Sequence, residues 1–291
     1  MKEIKKLPIE VFGYDVTIDN DDALLAHSQQ YCRFLKGSCN KPRKSEPEKK
    51  VGICTLGASL KGGIIKPVIV CPQRFKEDLM FDTIRKKYLT SWKNVKWVQE
   101  VNIGSGGSVD YVAVELDAHG VVRDFLCVEI QAAGTTGSPY PYVKELLEDG
   151  HFSGTRHSYG INWANEFSKT MMQQAFKKGK IVESWKRKIV FVVQDIAMEY
   201  LITATDCSLL TGPDPNSPVD FCSFSLVSTD DKYWNLNFDQ IKSTSIAGIS
   251  LMLGGANVNE YLTEEDFIGN IIRKGIIDGV FEKNQYTKDY L

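Results

Sequence analysis

VDYVAVELDAHGVVRDFLCVEIQAAGTTG, residues 109–137, sets two β-rich runs on either side of a short Asp-Ala-His-Gly turn, the pattern of a β-hairpin. Side chains alternate along a strand, so Glu129 and Gln131 point to one face of the second run and Val128 and Ile130 to the other. Asp110 stands at the entry of the first run. A hairpin of this length brings it beside Glu129, because paired strands lie roughly 5 Å apart. Two carboxylates that close repel unless a cation sits between them. A hard divalent ion such as Mg²⁺ takes one or two carboxylates with waters and phosphate oxygens, and it activates water for phosphodiester hydrolysis. The plainer alternative is that Glu129 and Gln131 decorate the solvent face of an edge strand. Glu115 and Asp117 lie an odd number of residues from Asp110 and are expected to face away from it.

Working outward, FKEDLMFDTIRKKYL spaces Phe75, Leu79, Ile84 and Tyr88 as a helix would, and VKWVQEVNI at 95–103 reads as a strand. GSGGS at 104–108 lacks the Gly-Lys-Ser/Thr ending of a nucleotide-binding loop, which excludes an ATPase of that kind. Downstream, INWANEFSKTMMQQAFKKG repeats Trp163, Phe167, Met171 and Ala175 every four residues, predicting a helix that Gly179 would stop. Its polar side carries Lys169, Gln173 and Lys177; Lys169 and Gln173, one turn apart, suit DNA contact or a solvated helix face. WKRKIVFVVQDIAMEYL supplies a strongly apolar strand, TGPDPNSPVD breaks the chain, and TEEDFIGNIIRKGI predicts a late helix from Thr263. Residues 196–291 otherwise read as fold completion and a candidate dimer surface. The order is mixed α/β, with the acidic hairpin at its centre.

The chain has 291 residues, 43% of them apolar, enough for one large domain or a domain with a small appendage. MKEIKKLPIE has no signal-peptide core and the longest apolar runs are too short to span a bilayer, so a cytoplasmic location is expected. A net charge of -2 excludes a uniformly basic coat. Charge is nonetheless segregated: residues 177–188 hold six Lys/Arg against one Glu, and residues 110–149 eight Asp/Glu against two Lys/Arg. Such runs suit a polyanion beside a divalent cation, or are simply solvated faces.

Seven cysteines in a reducing compartment do not read as disulfides. Cys32, Cys39, Cys54 and Cys71 cluster within 40 residues, around the polar stretch KGSCNKPRKSEPEKK, in which no core can form unaided. Four thiolates suit zinc or iron; buried free thiols are the alternative. Asp19 is a candidate cap for a helix that precedes them. In HFSGTRHSYG, Arg156 is a candidate reader of guanine, and in GTTG, Thr135 a candidate phosphate contact. Both stretches also read as ordinary surface turns.

Asp110, eighteen intervening residues and then Glu129-Ile130-Gln131 resemble the PD-(D/E)xK nuclease signature with glutamine in the lysine position. This motif follows YCRFLKGSCN, GICTLG and VIVCPQRF and precedes GINWANEFSKTMMQQAFKKG. That order resembles the NotI family of type II restriction endonucleases along most of residues 30–195. The resemblance implies a restriction-endonuclease-like mixed sheet flanked by helices, with a loop-rich four-cysteine metal-binding region at residues 1–75 and a nuclease domain at 76–291. It also implies a Mg²⁺-dependent homodimer that hydrolyses double-stranded DNA at a short palindromic, GC-rich site, accompanied by a separately acting methyltransferase. Asp110 and Glu129 would hold Mg²⁺, Gln131 would stand where lysine is usual, and Cys32, Cys39, Cys54 and Cys71 would hold structural iron or zinc. The rival readings are a non-catalytic DNA-binding protein with a nuclease-like fold and a repair-type nuclease without sequence preference.

Overall fold

Near the N-terminus, Pro8–Val11 (β1), Ile53–Ser59 (β2) and Ile65–Ile69 (β3) pair antiparallel, with Tyr14–Asp15 on the outer edge of β1. The computed structural model describes residues 6–254 and Ile268, apart from residues 19, 44–45, 61–62, 154, 156 and 230–232. The chain divides into two compact units, residues 1–254 and 255–291. Of the second only Ile268 is described, so the helix expected from Thr263 lies outside the described residues. Helix α1, Asp21–Gln29, follows the first strands; its cap is Asn20, whose side chain accepts from the Ala23 amide at 2.9 Å, while Asp19 lies outside the described residues.

Among the described residues, six strands form the central sheet: Val95–Asn102 (β4), Ser108–Leu116 (β5), Val122–Ile130 (β6), Ile189–Gln194 (β7), Val219–Ser228 (β8) and Trp234–Thr244 (β9). Their order is β9-β8-β7-β6-β5-β4, with β7 parallel to both β6 and β8 and every other pair antiparallel. The expected hairpin is present as β5 and β6, with Tyr111 opposite Val128. All six residues of β7 are buried, because helices and loops cover both faces of the sheet at its centre.

Alternation divides the core in two. Val112, Cys127, Phe191 and Phe221 pack on one face, and Ala113, Val128, Val192 and Phe224 on the other. The second face is closed by Asp78–Tyr88 (α2). Its buried residues are Met80, Thr83 and Ile84, whereas Leu79, expected on that face, is 40% exposed. Tyr140–Asp149 (α3) packs against β1 in the same core, and the first face is closed by the long helix Ala164–Ser184 (α4), Asp195–Ala204 (α5) and Ile246–Gly254 (α6).

Helix α4 opens as a π-helix over Ala164–Met171 and continues as an α-helix over Met172–Ser184. It does not stop at Gly179. A Cβ there would meet Val219 Cγ2 at 2.6 Å and Ile246 Cδ1 at 2.8 Å, so the missing side chain lets α4 lie close to β8 and α6. The apolar stretch after Trp185 likewise differs from expectation: β7 ends at Gln194 and the rest, DIAMEYLITA, is α5. Among the described residues no helix is long and apolar enough to cross a membrane.

Candidate active site

Asp110 and Glu129 lie on the β5–β6 hairpin, on the face that α4 covers. The Ile130 amide donates to Asp110 Oδ2 at 2.8 Å, which fixes the aspartate against the exit of β6. Burial raises the Asp110 carboxyl, partly offset by this amide and by the charge of Lys178. Glu129 is only 7% exposed. Burial, and then the charge of Asp110, push its carboxyl up to about 7 against the pull of Lys178 and of the Asp110 main-chain amide.

Lys178, from α4, donates to Glu129 Oε1 at 2.5 Å and to the Ser108 carbonyl at 2.7 Å. The other carboxylate oxygen, Glu129 Oε2, is buried and has no partner among the described residues. A buried polar atom left unpaired is unusual in a folded protein and needs a reason. Two neighbouring carboxylates, one with an unpaired oxygen, are a donor set that suits a hard divalent ion, which completes its shell with water and substrate oxygens.

Reading the sequence residue by residue missed Lys178; Lys169, the α4 lysine it singled out for DNA contact, is exposed. The signal was present, because Met171, Ala175, Lys178 and Val182 share one buried stripe of α4 and a lysine on that stripe needs a partner.

The remaining candidates are dispersed. Gln131 follows β6 directly; its main-chain amide donates to the Val192 carbonyl at 2.9 Å and its side-chain amide to the Ala132 carbonyl at 3.2 Å. Thr135 begins a two-residue pairing with Gly160–Ile161 just beyond. Lys169 and Gln173 lie together on the exposed side of α4. Arg156 lies outside the described residues. Glu115 and Asp117 are engaged elsewhere: Glu115 accepts from the Lys93 amide, and Asp117 accepts two turn amides and pairs with Arg123.

The four clustered cysteines are all buried. Burial raises the thiols of Cys32 and Cys71 and pushes Cys54 well above the ordinary range. Each responds to its neighbours: Cys39 acts on Cys32, Cys71 and Cys32 on Cys54, and Cys39 and Cys32 on Cys71. Lys76, Arg74 and Lys41 provide positive charge to Cys32, Cys54 and Cys71 respectively. Without an ion, burial keeps Cys32, Cys54 and Cys71 as neutral thiols; only the sulfur donors themselves match what zinc or iron takes. Among the described residues, however, no three His, Cys, Asp or Glu side chains are drawn together as a closed metal-holding group.

The cysteine region adjoins the hairpin. Gln194, at the end of β7, accepts from the Ile69 amide at 2.8 Å and donates to the Pro67 carbonyl at 2.7 Å, while the Ala133 amide donates to the Ile69 carbonyl at 2.9 Å. These bonds seat β3 against the exit of the motif strand, two residues before Cys71.

The sequence matches the family model described as restriction endonuclease NotI over residues 28–206, more than half of the chain. The chain belongs to the NotI restriction endonuclease family. It is therefore a nuclease that acts on DNA. The matched segment contains all four clustered cysteines, Asp110, Glu129 and Lys178, and it ends before β8 and β9. No curated protein matches the chain.

Proposed function

We propose that this NotI-family nuclease is a Mg²⁺-dependent type II enzyme of PD-(D/E)xK type that hydrolyses phosphodiester bonds in both strands of a short, palindromic, GC-rich site. The observation that carries the reading is Glu129 Oε2, a buried carboxylate oxygen without a partner among the described residues, beside Asp110 on the adjacent strand. Asp110 and Glu129 would hold the ion. When bound, Mg²⁺ supplies Lewis acidity at the phosphate and eases deprotonation of a neighbouring water.

The chain's own groups do the rest. The Gln131 amide is not basic, so it orients water or donates to a phosphate oxygen without taking a proton. Thr135 and the main-chain amides around it are suited to phosphate, and Lys169 and Gln173 to the DNA backbone along the exposed side of α4. Arg156 is the candidate for base reading in the major groove. A palindrome implies a two-fold homodimer with one site per strand. The GC-rich target and a separate methyltransferase protecting the same site rest on the family likeness alone. Cys32, Cys39, Cys54 and Cys71 would hold a structural iron or zinc in a region spanning residues 1–75, with residues 76–291 as the nuclease domain.

The purified protein and its Asp110→Ala and Glu129→Ala variants are incubated with GC-rich plasmid and Mg²⁺. Discrete bands that vanish in both variants are the expected result. A smear would mark a nuclease without sequence preference, and intact plasmid a DNA-binding protein that does not cut; either overturns the proposal. Elemental analysis of the same preparation should find stoichiometric iron or zinc, and its absence overturns the assignment of the four cysteines to a metal.

A further inference from the structure

Glutamine in the lysine position leaves the two carboxylates without a cation from their own strand, and α4 supplies one. We propose that Lys178 is the positioning residue of the site, delivered from a helix instead of from the motif strand; the inference rests on the nuclease reading above. Its ammonium holds Glu129 Oε1 at 2.5 Å and the carbonyl of Ser108 at 2.7 Å, and Ser108 lies two residues before Asp110 on β5. One side chain therefore clamps both strands of the hairpin. It also selects which glutamate oxygen stays open, because Oε1 is occupied and Oε2 is not.

The mounting of Lys178 is rigid. Its neighbours on the buried stripe, Met171, Ala175 and Val182, are fully enclosed. Gly179, next along the helix, permits the approach to Val219 and Ile246 that brings the ammonium to the hairpin. A lysine kept only for stability would be an expensive choice at this depth, since a buried ion pair is often no better than apolar residues of the same volume. A purely structural pair would also be expected to satisfy both oxygens of its glutamate. Here one oxygen is satisfied by the ammonium and the other has no hydrogen bond among the described residues, although the Asp110 main-chain amide lies close enough to favour the charged form; with the Asp110 carboxylate nearby, the arrangement serves a further ligand. Outer groups that orient metal ligands act in this way, by fixing the position of the ligating atom.

The test compares the unsubstituted protein with Lys178→Met, which keeps the stem and removes the donor, and Lys178→Gln, which keeps a neutral donor. Mn²⁺ binding to the DNA-free protein is read by electron paramagnetic resonance, alongside kcat and KM for DNA cleavage and the thermal midpoint. Lys178→Met should weaken Mn²⁺ binding and lower kcat by about 10–100-fold, with KM for DNA changed far less. Lys178→Gln should recover part of both losses, and it carries the test alone if the methionine variant does not fold. Mn²⁺ binding and kcat within about twofold of the unsubstituted protein in both variants overturn the proposal. So does a loss confined to the thermal midpoint. If the unsubstituted protein cuts no DNA, the nuclease reading fails separately, and the Mn²⁺ comparison still decides the role of Lys178.

Discussion

Two buried acid–base clusters stand in the same unit and are finished differently. Around Arg74 the polar groups are tied on every side. Its Nε donates to Glu10 Oε2 at 2.6 Å, its Nη2 to the Trp234 carbonyl at 2.5 Å, and its Nη1 pairs with Glu77. Thr55 donates to the same Glu10 oxygen at 2.5 Å, and the Leu236 amide to the other oxygen of Glu77 at 3.0 Å. The cluster joins β1, β2 and α2 to β9, and the guanidinium fork suits it because one planar group reaches three partners. Around Glu129, a point-like ammonium covers one oxygen and leaves the other open. The first cluster is complete as it stands and holds the N-terminal sheet to the central one. The second is incomplete and lies where the family's chemistry is expected. Burial alone does not distinguish a staple from a site; what sets Glu129 apart is an unpaired carboxylate oxygen together with a second carboxylate, Asp110, on the neighbouring strand.

The largest expected effect is from Arg74→Met, which strands the Glu10 carboxylate in the core and should remove about 3–5 kcal/mol of stability in chemical denaturation. Arg74→Lys should recover only part, since an ammonium does not reproduce the fork. An unchanged denaturation midpoint in Arg74→Met would show that the complete cluster is not a staple.

A smaller, pH-dependent effect is expected at Glu129. Its carboxyl titrates at about 7 in the fold against an ordinary 4.5, so the native state keeps a proton that the unfolded chain has released. The contribution of this group to stability therefore falls as pH rises from 4.5 to about 7, and the penalty is absent below that window. In chelator, Glu129→Gln lacks the penalty. Whatever the cost of leaving Lys178 without its acid, the thermal midpoint of Glu129→Gln should fall less between about pH 5 and 7.5 than that of the unsubstituted protein. Parallel melting curves across that range would mean that the open oxygen carries no such strain.

Much of the frame was legible in the chain. The β-rich runs and their turn gave the hairpin, its strand spacing brought Asp110 to Glu129, and the four-residue repeat of Phe167, Met171 and Ala175 marked the buried side of α4. Glu115 and Asp117 are bonded elsewhere, to the Lys93 amide and to Arg123. These features are local, because a two-residue or 3.6-residue period is written in consecutive side chains. The misreadings share the opposite character. Leu79 and Met80 are adjacent apolar residues on α2, and only the direction of the sheet decides that Met80 is covered. Gly179 looked like a helix stop until Val219 and Ile246 were seen to need its empty place.

By itself the sequence determined the alternation of the motif strands, the clustering of the cysteines and the motif order that places the chain in its family. The tertiary structure decided which cation meets Glu129, a residue 49 positions away on another element, and which carboxylate oxygen is left open. The reason is physical. Periodicity states which residues share a face, but the partner of that face is set by how distant elements pack, and packing is where a lysine on an apolar stripe finds its acid.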